Sequence, residues 1–176
     1  MRGFKDLDAK GLENYAGTSQ RYSQRVLVSE AVRRGWDICT TDISKPFLQG
    51  GSYKELAEAT GEPLREVNFV LPSYCIPLLR RIPGYENFDP TREVLHCEKK
   101  KPGTGCNDAP RCFSMKLARI TSGDCGLHPS TVDGELCMKH EQESGVMTLV
   151  ALMAKHVDDL KLTGKKAGCG IHLATT

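Results

Sequence analysis

Three aspartates carry the chemistry open to this sequence. Asp42 ends the run "WDICTTDIS", and Asp158 and Asp159 sit side by side in "AKHVDDLKLTG", residues 154–164. Alone, an Asp-Asp pair between an apolar run and a short alternating one is ordinary turn chemistry, because a short carboxylate bonds backbone amides nearby. Together with Asp42 the pair makes a different site. Hard divalent cations such as Mg²⁺ take oxygen ligands of this kind. Two such ions, about 3.5–4 Å apart, can clamp an in-line phosphoryl displacement. The three carboxylates meet only if the strand ending at Asp42 and the hairpin holding Asp158 are neighbours in one sheet.

The elements that must position them can be read in outline. A helix is expected over residues 19–34, capped by Thr18 or Ser19, with Tyr22, Val26 and Ala31 near one face and Gly35 at its end. "WDICTTDIS" is rich in β-branched and apolar residues and reads as a strand. In "SYKELAEATG", Ser52 and Glu55 have capping-box spacing and Gly61 can terminate the helix. "EVNFVLP" and "EVLHCE" read as strands, with an irregular, proline-bearing connection over 73–93. A third helix follows Asp108, a good N-cap, with Pro110 in its first turn, an apolar stripe of Phe113, Leu117 and Ile120, and Gly123 as its stop. "GELCMKH" and "MTLVALMAKHV" are strands, the second buried on both faces, and "LKLT" pairs back on it as a hairpin. This order suits an α+β layer: a mostly antiparallel sheet of the split βαβ kind, with helices on one face.

Composition sets the limits. A chain of 176 residues is one domain or a substantial piece of one. Apolar residues make up 39%, and no window approaches the ~18 consecutive apolar residues of a membrane span. The first fifteen residues, "MRGFKDLDAKGLENY", contain no apolar h-region, so a soluble intracellular protein, cytoplasmic or nuclear, is expected. A net charge of +2 and a pI of about 8.1 lean mildly toward nucleic acid. The pairs Arg33-Arg34, Arg80-Arg81 and Lys165-Lys166 and the run Lys99–Lys101 read first as solvated surface.

Eight cysteines occur, with no C-x-x-C. Cys125-x-x-His128 and Cys137-x-x-His140 have a spacing zinc accepts. Pro129 directly after His128, and the strand-like setting of Cys137, weigh against a zinc module. The cysteines are read as reduced, mostly buried thiols.

Three segments in order carry a resemblance: "TDISKPFLQG" (41–50), "GTGCNDAPRCFSMKL" (103–117) and "AKHVDDLKLTG" (154–164). They resemble the reverse transcriptase of copia-type LTR retrotransposons. That family has an aspartate box ending in Phe-Leu-x-Gly, a Gly-x-x-x-Ala-Pro-Arg helix start, and a Val-Asp-Asp hairpin ending in Leu-Thr-Gly. Trp36, "EVNFVLP", "PGYE" and "GLHPSTVDGELCMK" match between the boxes, so the likeness runs from roughly residue 11 to 164. It implies a polymerase palm plus part of the fingers. Within the expected Pol polyprotein, residues 1–176 would be a partial reverse-transcriptase domain without the upstream fingers, the thumb and RNase H.

By the same resemblance, Asp42, Asp158 and Asp159 are the metal-binding, catalytic carboxylates, holding two Mg²⁺ or Mn²⁺ ions. Ile43, Phe47, Asp108, Ala109, Pro110 and Arg111 lie beside the incoming nucleotide, with Phe47 under its sugar, and His156 contacts the primer end. The implied activity is RNA-directed DNA polymerisation on a template-primer with dNTPs, with no membrane partner. The alternative is an inactive retroelement remnant that at most binds nucleic acid weakly. The chain departs from the family pattern at three of these places. Asp108 stands where Gln is usual, His156 where an aromatic precedes Val-Asp-Asp, and Pro46 where a small residue is usual.

Overall fold

An antiparallel sheet organises the chain. The computed structural model describes residues 6, 9–12, 14–96 and 101–165. The strands are β1 (Ile38–Asp42), β2 (His128–Pro129), β3 (Leu136–Glu143), β4 (Val146–His156) and β5 (Asp159–Gly164). They lie in the order β1-β5-β4-β3-β2, and every neighbouring pair is antiparallel. β1 and β4 therefore run parallel with β5 inserted between them, a split arrangement. The helices are α1 (Arg21–Arg34), the one-turn α2 (Pro46–Gln49), α3 (Tyr53–Thr60), the one-turn α4 (Ile76–Leu79) and α5 (Ala109–Arg119). None of the described helices is long and apolar enough to cross a membrane.

The core lies on both sides of β4. Successive strand side chains point to opposite faces, and directly paired residues share one. Ala151 and Met153 of β4 face Phe113 and Leu117 of α5, together with Leu127, Cys137 and Leu160. Leu152 and Ala154, one step out of phase, face Leu27 of α1 and Leu136. The expectation of helices on one face is thus corrected: α5 covers one side and α1 the other. The reason is the apolar run Val150–Ala154, buried throughout, which leaves both faces of the central strand needing cover. Burying a side chain such as Leu27 or Leu152 contributes about 1.5–3 kcal/mol each.

α1 buries Ala31 as expected but differs at the other two positions of the face. Its buried residues are Ser23, Leu27 and Ala31, while Tyr22 and Val26 are exposed. Its N-cap, Gln20, makes no side-chain bond, so neither Thr18 nor Ser19 caps it. Instead Asp133, 113 residues away, accepts from the Gln20 amide at 2.9 Å and from the Ser23 hydroxyl. Burial pushes the Asp133 carboxyl up. The Ser23 hydroxyl and the Gln20 and Glu135 amides outweigh it, so the group stays below the usual carboxylate range. Gly35 ends α1 as expected, in the left-handed region at φ 62°, with its N–H on Ala31 and Val32.

α3 has the expected capping box. The Ser52 hydroxyl accepts from the Glu55 amide at 3.2 Å, and the Glu55 carboxylate accepts from the Ser52 amide at 2.7 Å. "EVNFVLP" and "EVLHCE" are not strands. Only Phe69 and Leu95 pair, through one isolated bridge, and residues 97–98 of the second lie outside the described residues. Val70 is 95% exposed, so this segment has no sheet face to bury against. α5 passes its expected stop at Gly123 as a π-helical turn, Ile120–Asp124.

Candidate active site

The register of β1 and β5 brings the aspartates together. Asp42 pairs directly with Asp159, and Thr41 with Leu160. The amide of Ile43 donates to the carbonyl of Asp158 at 3.1 Å, carrying the ladder one step past the strand ends. Asp42 and Asp159 therefore share a face, and His156, paired with Asp159 across the hairpin, shares it too. Asp42, Asp159 and His156 are exposed and Asp158 is half-buried. This end of the sheet takes a further partner. Thr18 bridges to His156, the Ser19 amide donates to the Lys155 carbonyl at 2.8 Å, and the Val157 amide donates to Gly17 at 3.0 Å.

The turn of this hairpin is strained. β4 ends at His156 and β5 starts at Asp159, leaving Val157 and Asp158 as a two-residue loop. Val157 sits at φ 58°, a region costly for a β-branched residue. The right-handed twist of paired strands demands such a turn, and glycine normally supplies it. Val157→Gly is expected to stabilise the protein by about 0.5–1 kcal/mol after the entropy that glycine adds to the unfolded chain. A melting curve reads this as a rise of about 2 °C. An unchanged or lower melting temperature would show that the turn is relaxed.

Close packing fixes the other two boxes against each other. Phe47 of α2 is half-buried and meets Phe113 of α5 edge-to-face, with centroids 6.4 Å apart at 82°. A Cβ on Gly50 would stand 3.2 Å from the Phe113 amide nitrogen, so glycine lets α2 lie this close to α5. Ile43 and Phe47 both pack on the α5 side of the core.

The start of α5 differs from a capped helix. Asp108 occupies the N-cap position with helical backbone angles, φ −92° and ψ −2°, and makes no capping bond. Its carboxylate is 2% exposed, pairs with Arg65 and accepts from the Tyr53 hydroxyl at 3.3 Å. Arg65 also pairs with Asp6, and its guanidinium lies 5.8 Å from the Tyr53 ring centroid. Burial, with Asp108 beside it, pushes the Tyr53 phenol up, so it stays neutral. Ala109 is fully buried. Of residues 108–111, only Pro110 and Arg111 reach the surface in part, and the Arg111 guanidinium makes a two-pronged pair with Glu62, 2.9 Å on each prong.

Other groups here left no mark in the sequence. Lys155 is buried and pairs with Glu135 at 2.9 Å. Arg65 lies just before "EVNFVLP", outside the elements read from the sequence. Their partners are 20 and 43 residues away, so no local spacing announces them. The pairs Cys125/His128 and Cys137/His140 do not converge. Cys137 is fully buried in the core, where burial raises its thiol pKa, while His128 and His140 are exposed. Of the six described cysteines, all free, Cys112 and Cys137 are buried and Cys39 is exposed. Burial pushes the Cys112 thiol up to about 12.

The donor chemistry of Asp42, Asp158 and Asp159 is all oxygen, which suits a hard divalent cation. Among the described residues, no three His, Cys, Asp or Glu side chains are already grouped to hold a metal ion. The backbone register, rather than a closed set of ligands, is what brings these carboxylates near one another.

No protein family, curated protein or solved structure matches this chain.

Proposed function

We propose that this chain is the palm, with part of the fingers, of a copia-type retrotransposon reverse transcriptase, a piece of a longer Pol polyprotein. One observation carries the reading. Residues more than a hundred positions apart, Asp42 and Asp158-Asp159, are set at one sheet end by the β1–β5 register and the Ile43–Asp158 bond. In this reading Asp42, Asp158 and Asp159 hold two Mg²⁺ or Mn²⁺ ions. Bound there, the ions would activate a primer 3′-hydroxyl and stabilise the oxygen leaving the dNTP α-phosphate.

The chain's own residues do the positioning. His156, beside Asp159 at the hairpin end, meets the primer terminus. Phe47, held edge-on by Phe113, forms a fixed wall under the incoming sugar. Pro110 and Arg111 flank the nucleotide. A guanidinium that grips a carboxylate with two prongs can grip a phosphate the same way, and Glu62 is exposed enough to release it. Asp108 is buried and held by Arg65, which also pairs with Asp6, so its carboxylate is not open to the nucleotide. A second reading, the inactive remnant, draws on the same residues: Arg111 is occupied by Glu62, and Asp108 and Ala109 are buried.

Primer extension on an RNA template, with Mg²⁺ or Mn²⁺, separates the two. The polymerase reading expects extension by the wild-type chain and its loss in Asp158→Asn. A folded wild-type chain that extends nothing sinks that reading and leaves the remnant.

A further inference from the structure

A groove of about 450 Å³ runs between α1 and β5, lined by Arg21, Gln24, Arg25, Val28, Ser29 and Lys161. Lys161 pairs with Thr40 and lies two residues after Asp159, so it is on the same sheet face as Asp42 and Asp159. Among the described residues, none of the cations Arg21, Arg25 and Lys161 forms an ion pair. Arg33 and Arg34, on the same helix, are both spent on Glu30. Arg21 and Arg25 stand one turn apart, about 6 Å along the axis, a step on the scale of neighbouring phosphates in a nucleic-acid strand. The first turn of α1 contains no acid, so its dipole adds to the positive field. Asp42 and Asp159 lie on this face at the sheet end, Asp133 at the α1 N-terminus is already bonded by the Gln20 amide and Ser23 hydroxyl, and Glu30 on α1 is paired with Arg33 and Arg34.

We infer that this groove holds the phosphate backbone of a single nucleic-acid strand, with Arg21, Arg25 and Lys161 as its phosphate contacts. The inference deepens the polymerase reading and rests on it for choosing nucleic acid over other polyanions. It places the strand on the carboxylate side of the sheet, leading to Asp42 and Asp159. Val28 and the aliphatic stems of the arginines supply an apolar floor for sugars and bases, which makes contact sequence-tolerant.

The test is fluorescence anisotropy of labelled dT20, titrated with the whole chain at several salt concentrations and without divalent metal. Arg21→Ala/Arg25→Ala/Lys161→Ala is expected to bind about tenfold more weakly at low salt, with a salt dependence shallower by roughly two log units per decade, from ~0.7 per lost phosphate contact. A variant with the same charge change elsewhere, Lys54→Ala/Arg81→Ala/Arg92→Ala, should keep the wild-type slope. Equal weakening in both variants, no binding of dT20, or equal competition by polyglutamate would overturn the groove. The two readings fail separately. Loss of binding in the groove variant without any primer extension supports the groove and removes the polymerase. Extension with unchanged binding in that variant removes the groove and keeps the polymerase.

Discussion

Arg65→Met is expected to destabilise the protein by about 3–5 kcal/mol, the cost of leaving one member of a buried ion pair without its partner. Asp108 is 2% exposed, and with Arg65 gone its carboxylate keeps only the Tyr53 hydroxyl among its side-chain partners described above. Asp6 loses the same guanidinium. Arg65 itself is held charged: burial works against it, but the bonds and charges of Asp6 and Asp108 prevail and raise its pKa. Adding Asp108→Leu to Arg65→Met should recover most of the loss, because an apolar side chain of similar size leaves no buried charge. Urea unfolding of the single and double variants measures both steps. A single-variant loss below about 1 kcal/mol would place the pair in solvent, where ion pairs contribute little.

Phe113→Ala is expected to cost about 3–5 kcal/mol, the range for emptying a buried aromatic site. The ring is 4% exposed and packs with Leu117, Leu127, Cys137, Ala151, Met153 and Leu160. It also holds Phe47 edge-on, so the cavity opens beside Ile43 and Phe47, which follow Asp42 in the chain. Phe47→Ala should cost less, since that ring is only half-buried. If the two variants were equally destabilised in a thermal or urea melt, Phe113 would not be the anchor of this core. A selective effect of Phe47→Ala on the choice between dNTP and NTP in primer extension would then separate a nucleotide contact from packing.

Local sequence determined what local physics controls. Ser52 and Glu55 are three residues apart and close their own capping box. Gly35 and Gly61 supply left-handed helix ends that other residues would resist. The apolar run Val150–Ala154 dictates a central strand, and "VDDLKLTG" dictates the hairpin after it. "EVNFVLP" has strand composition but found no neighbouring strand beyond one bridge, because a strand's pairing is decided by what else reaches it. On α1, Ala31 is buried as expected but Ser23 and Leu27 replace Tyr22 and Val26 for the same reason: its weak apolar pattern left the choice to Leu136, Leu152 and Ala154 of the sheet.

The site divides along the same line. The types and order of Asp42, Asp158 and Asp159 are in the sequence, but their meeting is a consequence of one strand register, Asp42 against Asp159. A slip of one residue would send one of them to the opposite face. Only the tertiary structure pairs Asp108 with Arg65, Asp133 with the start of α1, Arg111 with Glu62, and Lys161 with the open side of α1. Charges and hydrogen bonds act over a few ångströms with no memory of chain separation. They are therefore settled by the packing that the apolar pattern sets up, not by spacing along the chain.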